Sequence, residues 1–264
     1  MIVAQISDLH VTRKGRLLGH MVNTAKYLRR CVARLNSLKP RPDVVVATGD
    51  LVDAGKPKEY KRLRKILEEL RVPLYVVPGN HDRSDAFREA FADHRYLPAD
   101  GPAAQYVIDS YDLRLIGLDT TRPGEVGGGL DERRLSWLDE ELGRAPSRPT
   151  LIFMHHPPFK TGIRQLDAAG FRGGEQFGAI VERHGQIERI VCGHIHRAMQ
   201  VRWRGRFVCT APSTAYQFAL ELRERRPLGF VLEPPGFLLH VWEDGAMITH
   251  ECTVGTYDGP RPLP

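Results

Sequence analysis

Five short stretches hold the residues best able to do chemistry. They are "DLH" with Asp8 and His10, "TGD" ending in Asp50, "GNHD" with Asn80, His81 and Asp82, "MHHPP" with His155 and His156, and "GHIH" with His194 and His196. Taken singly, an Asp after Gly is commonly a turn or cap residue, and a lone His at a strand end is commonly a surface one. The same kind of residue at five strand ends is another matter. Asp, His and Asn without Cys form an oxygen and nitrogen donor set, which suits zinc, manganese, iron or cobalt better than a soft ion. Seven ligands from this set are too many for one tetrahedral ion and about right for two. Asp50 is the expected bridge, because its motif holds no neighbouring His to help fill a mononuclear shell. Ions paired about 3.5–4 Å apart can clamp the attacking and leaving oxygens of an in-line displacement.

His81 needs a separate reason. A turn that ends an apolar run has use for the Pro-Gly of "VVPGNHD", and Asn80 offers a neutral oxygen ligand. An imidazole at that point suits a general acid that protonates a departing alkoxide, which is worth roughly 10²–10⁴-fold. Asp82 either orients that imidazole or caps the next helix.

The elements that must position these residues are legible as periodicity. "IVAQIS", "DVVVATG", "PLYVVPG", "PTLIFMH" and "IERIVCG" read as strands. The intervening segments about 21–38, 58–70, 131–142 and 175–184 read as amphipathic helices. A further helix is expected after Ser84 as its N-cap. "AQYVID" and "LRLIGLD" are consecutive strands. Beyond residue 197 come two hairpins, "AMQVRWRGRFVCTA" turning at Arg-Gly and "GFLLHVWEDGAMITHECTV" turning at Asp-Gly. The Pro- and Arg-rich residues 221–235 lie between them as a loop or arm. Alternating strands and helices followed by antiparallel hairpins suggest layered sheets with helices outside. In an open α/β sheet, residues beyond the carboxyl ends of the strands converge in one crevice. No repeat or low-complexity linker divides the chain, so residues 1–264 are expected to form one domain. Residues 198–264 are expected to complete the second sheet and to offer an oligomer contact.

At 264 residues, 42% hydrophobic and 27% charged, the chain has the composition of an ordinary globular protein. No stretch is long enough for a membrane span. The N-terminus runs straight into a strand without a basic or long apolar leader, so a cytoplasmic protein is expected. Cys31, Cys192, Cys209 and Cys252 are scattered and form no CxxC pair. They read as buried thiols rather than a zinc or disulfide framework. The net charge is +6, and residues 11–41 hold nine Lys or Arg and no acid. A solvated helix face accounts for most of that run, and nucleic acid is not the favoured partner.

"DLH", "GDLVD", "GNHD", "MHHPP" and "GHIH", in this order over residues 1 to about 200, resemble the calcineurin-like metallophosphoesterase superfamily. Within it the chain looks most like the class III cyclic nucleotide phosphodiesterases and the related glycerophosphodiesterases. The resemblance implies an α/β fold, a four-layer αββα sandwich of two mixed sheets flanked by helices. It implies that Asp8, His10 and His196 hold one metal, that Asn80, His155 and His194 hold the other, and that Asp50 bridges them. The relatives use the first His of the "HHPP" motif, which leaves His156 structural. Asn80, His81 and His196 would meet the substrate, a small phosphodiester such as cyclic AMP or a glycerophosphodiester. The reaction implied is hydrolysis by a metal-bridging hydroxide.

Charge supports this reading. Two carboxylates, two divalent ions and one hydroxide leave a net charge near +1, which attracts an anionic ester, and water on such an ion reaches a pKa of about 7. Segments 160–175 and 211–235 are the expected substrate walls. Tyr216 stands in "STAYQF" where some glycerophosphodiesterase relatives carry His, which places cyclic nucleotides slightly ahead. The rivals are a metal-dependent nuclease or broad phosphatase of the same superfamily, and a protein-binding scaffold that has lost its metals.

Overall fold

The computed structural model describes residues 1–98, 101, 103–223, 226–255, 257–259 and 261. The strands are β1 (Ile2–Ile6), β2 (Val44–Thr48), β3 (Leu74–Val77), β4 (Tyr106–Ile108), β5 (Arg114–Leu118), β6 (Gly128–Gly129), β7 (Thr150–Met154), β8 (Phe171–Arg172), β9 (Ile187–Cys192), β10 (Met199–Trp203), β11 (Arg206–Thr210), β12 (Gln217–Phe218), β13 (Phe230–Val231), β14 (Gly236–Glu243) and β15 (Ala246–Thr253). The helices are α1 (Thr24–Ser37), α2 (Pro57–Leu67), α3 (Ser84–Ala90), α4 (Glu132–Gly143), α5 (Arg164–Asp167) and α6 (Gly174–Arg183).

Strand alternation sets the layers. β2 is buried on both faces, and its side chains divide by parity. Val45 and Ala47 pack under α1, α2 and α3 with Leu28, Leu35, Leu63, Ile66 and Phe87. Val44 and Val46 point the other way, into a layer shared with Leu151, Phe153 and Val191 of the other sheet. Across that layer β7 repeats the division, with Ile152 and Met154 outward against Leu138 and Leu142 of α4 and Phe177 and Val181 of α6. Helices, sheet, sheet, helices is the expected four-layer αββα sandwich. Runs such as "VVVAT" lack polar alternation because each strand is covered twice.

One sheet has the order β15-β14-β1-β2-β3 and the other β10-β11-β9-β7-β5-β4. Both are mixed: in the first, β1, β2 and β3 run parallel with the β14–β15 hairpin antiparallel at one edge, and in the second a parallel centre has an antiparallel strand at each edge. The two C-terminal hairpins therefore part: β10–β11 extends the second sheet, whereas β14–β15 pairs with β1 and completes the first. That corrects the expectation that residues 198–264 join one sheet. The reason is register, since β14 aligns Leu238 to Val241 against Gln5 to Ile2. Both hairpin turns are as expected, with Arg204-Gly205 and Asp244-Gly245 all at positive φ, the type I′ geometry that matches strand twist. The arm is not wholly a loop, because β13 pairs with β12. Its residues 224 and 225 lie outside the described residues. Ser84 is the first residue of α3 and Arg83 its N-cap, which makes no side-chain cap bond. Among the described residues no helix is long and apolar enough to cross a membrane.

A chain of polar side chains crosses the layer between the sheets. Arg189 donates to Thr249 Oγ1 (2.9 Å), Thr249 meets His240 Nδ1 (2.9 Å), and His240 Nε2 donates to Gln5 Oε1 (3.1 Å). Gln5 Nε2 in turn donates to the Cys192 carbonyl (2.8 Å) and to Thr48 Oγ1 (3.0 Å). Burial, reinforced by Arg189, holds His240 down to about 3. An unfolded chain would take up that proton near pH 6.5. Stability from this group is thus complete above about pH 6.5 and is lost as pH falls toward 3. Urea midpoints at about pH 7.5 and 5 should show the wild type losing about 2 kcal/mol more than His240→Gln, a variant that cannot titrate. Equal losses would mean that His240 is not held neutral.

Candidate metal centre

β1, β2 and β3 run parallel in one sheet and β7 and β9 in the other. Their carboxyl ends meet across the sandwich. The backbone N–H of His194 donates to both carboxylate oxygens of Asp8 (3.1 Å each), and Gly193 N–H donates to the His155 carbonyl (2.9 Å). Gly193 is needed for this approach, since a Cβ there would lie 2.1 Å from Ser7 Oγ and 2.6 Å from the Thr48 carbonyl.

The backbone turns sharply at these ends. Asp8, His10, Asp50, His194 and His196 all have positive φ, at 52°, 42°, 48°, 71° and 52°. For a residue with a Cβ this left-handed conformation costs about 1–2 kcal/mol, and such strain gathers at functional sites. In both "DLH" and "HIH" it lets side chains two apart turn inward together, while Leu9 and Ile195 enter the apolar interior.

Two donor clusters result. In the first, His10 Nε2 lies 3.1 Å from His196 Nε2, and His196 Nε2 lies 3.4 Å from Asp8 Oδ1. In the second, His155 Nε2 lies 3.1 Å from Asn80 Oδ1 and 3.4 Å from Asp50 Oδ2. Asp50 Oδ2 is also 3.6 Å from His10 Nε2, so this one oxygen belongs to both clusters. The other oxygen, Oδ1, accepts the His81 backbone N–H (2.8 Å). Of the Asp50 carboxylate, one oxygen thus faces both clusters while the other is taken by the backbone.

With the rings neutral, as metal ligation requires, these contacts are not hydrogen bonds. His155 Nδ1 donates to the Thr48 carbonyl (2.7 Å) and His196 Nδ1 to the Tyr216 carbonyl (3.1 Å). A neutral ring that donates from Nδ1 has only a lone pair at Nε2. His10 Nδ1 faces Asp53 Oδ1 at 3.8 Å, which favours the same tautomer. Lone pairs on nitrogen and oxygen thus point at one another about 3 Å apart, an arrangement that calls for a metal ion between them or, without one, for the extra proton that Asp50 draws onto His155, raising it to about 9. Donors about 2.1 Å from a metal are separated by about 3.0 Å at octahedral and 3.4 Å at tetrahedral angles. The donor set fits two hard or borderline ions. His194 completes the second cluster, its ring centred 5.1 Å from that of His155.

The charges agree. Burial pushes the Asp8 carboxyl up to about 6, against the pull of His155. Asp50 is buried too, yet His155, His81 and His10 hold it well below the carboxylate range. Two buried carboxylates in one pocket both ionise readily only when cations neutralise them.

Other expected residues fall differently. His156 turns both ring nitrogens away, to Thr120 Oγ1 (2.9 Å) and the Val126 carbonyl (3.1 Å), so it is no donor to either cluster. His196 has no free ring nitrogen and is 1% exposed, with Phe218 stacked on it at 4.3 Å. This corrects its expected contact with substrate. His81 is exposed, and its Nδ1 donates to the Asp53 carbonyl (2.7 Å), which leaves Nε2 free. Asp82 neither orients His81 nor caps α3. Its carboxylate accepts from Leu51 N–H (3.0 Å), Gly79 N–H (2.9 Å) and Tyr60 Oη–H (2.7 Å), pinning the loop after β2 to the loop after β3.

Asp53 escaped the sequence reading. Its carboxylate faces the ring of His10 and its carbonyl holds the ring of His81. The signal was its place three residues after Asp50. Of the expected walls, Tyr216 of 211–235 lies beside His196, with ring centroids 4.6 Å apart, and Gln165 of 160–175 donates to the Arg226 carbonyl of the same 211–235 segment.

The family model described as calcineurin-like phosphoesterase matches residues 1–198. The chain is 38% identical, over all of its length and 97% of the relative's, to a protein of Arcobacter nitrofigilis named "Probable glycerophosphodiester phosphodiesterase GpdQ". It is 30% identical, over 82% of its length and 77% of the relative's, to the 3',5'-cyclic adenosine monophosphate phosphodiesterase CpdA of Escherichia coli K12. In fold it resembles a dimetal phosphatase from Danio rerio, with a TM-score of 0.69 over 97% of this chain and 96% of that one at 15% identity.

Proposed function

The chain belongs to the calcineurin-like phosphoesterase family, and from that premise we propose that it hydrolyses phosphodiesters at a two-metal centre. Asp8, His10, Asp50 and His196 would hold one ion, and Asp50, Asn80, His155 and His194 the other. The observation that carries this is the pair of clusters in which lone pairs converge around the shared Asp50 Oδ2. When bound, such ions supply hydroxide from water near neutral pH and neutralise phosphoryl charge. The donors suit manganese, iron, zinc or cobalt.

The protein's own groups do the rest. Asn80 is neutral, so the pocket keeps a positive balance toward an anionic diester. Thr48 and Tyr216 carbonyls fix the tautomers of His155 and His196, as second partners of ligating histidines commonly do. The Asp53 carbonyl fixes His81, so that a proton carried at Nε2 can pass to the departing alkoxide. Water and diester thereby yield a monoester and an alcohol.

The full-length likeness to a protein named for glycerophosphodiesters supports that substrate class first, ahead of the order that Tyr216 alone suggested. A second reading, cyclic nucleotides, is favoured by Tyr216 and Phe218, whose rings beside His196 offer a base a stacking face. The donor clusters each combine residues from both sheets, which supports one domain over residues 1–264. Exposed Leu222 and Leu232 on the arm, with Leu220 just before it, support a homo-oligomer contact there. The four unpaired cysteines, three of them buried, support a reducing, cytoplasmic setting.

The test is a panel on metal-free protein supplied with Mn(II): glycerophosphoethanolamine, cyclic AMP, a bis-aryl phosphate and a mono-aryl phosphate. Diesters should turn over at least about tenfold faster than the monoester in kcat/KM, since among the described residues no Lys or Arg is bonded to either donor cluster to hold a dianion. Metal analysis should find two ions per chain. Preference for the monoester, or a protein that takes up no metal pair, would overturn the reading.

A further inference from the structure

His156 follows a metal-site histidine yet binds a different part of the protein. Its backbone N–H donates to Thr120 Oγ1 (3.2 Å), and the Thr120 hydroxyl donates to its Nδ1 (2.9 Å). Its Nε2–H is then left to donate to the Val126 carbonyl (3.1 Å). Both partners lie in the stretch between β5 and β6. That stretch leaves the sheet at Thr120, runs exposed through residues 123–126, and returns at Gly128, where a Cβ would come within 2.4 Å of the His156 ring.

The stretch is anchored at its base. Gly129 N–H donates to the Thr120 carbonyl (3.0 Å), and Arg134 donates to the carbonyls of Asp119 and Thr121 (2.9 Å each). Among the described residues, the hydrogen bond from His156 is the one that holds the Val126 carbonyl. The His156 ring is centred 4.8 Å from that of His194, which places the loop on the His194 side of the metal centre. β6 also pairs with β8, so the same loop carries the 160–175 wall. The apolar residue it exposes is Val126, 62% accessible.

We propose that His156 is a positioning residue whose Nε2–H fixes the rim loop 121–127, and that this rim, with Val126, is the surface against which one ester group of the diester packs. The second half rests on the phosphodiesterase reading, while the first does not.

Two variants separate the ring's two contacts. In His156→Gln the amide nitrogen can take the place of Nε2 and keep the bond to Val126. In His156→Asn the shorter amide reaches only the Nδ1 position, keeping Thr120 and losing the loop. Amide hydrogen exchange needs no substrate. In His156→Asn, exchange over residues 121–127 should accelerate about tenfold, with residues 48–53 and 76–82 as in the wild type; His156→Gln should stay near the wild type. For a bis-aryl phosphate, KM should rise about five- to tenfold in His156→Asn with little change in kcat and full metal content. Identical behaviour of the two variants, or loss of metal from both, would make His156 a packing residue only and overturn the tether. Val126→Ala, at an exposed position, should raise KM severalfold with loop exchange unchanged; an unaltered KM would remove the rim from substrate contact. A wild type inert toward all diesters would sink the phosphodiesterase reading, and the exchange comparison would still decide the tether.

Discussion

Asp50→Asn should be as damaging as Asp50→Ala, each lowering kcat/KM by roughly 10⁴-fold or more and emptying both metal positions together. Asparagine matches aspartate in size, so the outcome depends on how the two oxygens are used. Oδ1 accepts the His81 N–H at 2.8 Å, and Oδ2 alone faces both donor clusters. An amide must satisfy the same N–H with its oxygen, which turns its NH₂ toward both ions. The reverse rotamer sets two donors against each other at His81 and offers the ions only a neutral oxygen. Elemental analysis of the purified variants, alongside diester turnover, checks this. An Asp50→Asn protein that holds two ions and retains turnover would show that the shared oxygen is not the bridge.

His81→Ala should separate chemistry from assembly. The side chain is exposed and donates to the Asp53 carbonyl rather than to either cluster, so metal content should match the wild type. Turnover should fall by about 10²–10⁴-fold for a substrate whose leaving group is an alkoxide. A nitrophenolate leaves without needing a proton, so a bis(nitrophenyl) ester should lose much less, under about tenfold. Equal losses for both leaving groups would remove His81 from proton transfer. Loss of metal would make it a ligand.

The fold was legible where one physical cause dominated. Doubly covered strands leave unbroken apolar runs such as "VVVAT" and "TLIFM", and amphipathic periodicity marked α1, α2, α4 and α6. The donors were legible because their types recur at strand ends. What remained hidden depends on pairings that no local pattern records. Asp82 takes its partners from Leu51, Gly79 and Tyr60, three separate segments, so its motif alone suggested a partner for His81 or a helix cap and neither holds. The two hairpins share a pattern, and only the pairing of β14 with β1 sends them to different sheets. His196 has the same spacing in "HIH" whether or not a substrate can touch it; Phe218 and the Tyr216 carbonyl close it off, and both come from a loop about 20 residues on. Asp53 was given no role, although it stands in "GDLVD", because its targets, His10 and His81, are far from it in the chain.

Each donor cluster draws on both sheets: Asp8, His10 and Asp50 from one with His196 from the other, then Asp50 and Asn80 from one with His155 and His194 from the other. An ion seated in either place is therefore a cross-link between the halves of the sandwich. By mass action, each site filled at a hundred times its dissociation constant deepens the native basin by about 2.7 kcal/mol. That gain offsets the backbone strain concentrated at the five left-handed residues. Stripping the ions should thus weaken the seam between the two sheets as well as silence the enzyme, and metal supply would govern how long the protein lasts as well as how fast it works.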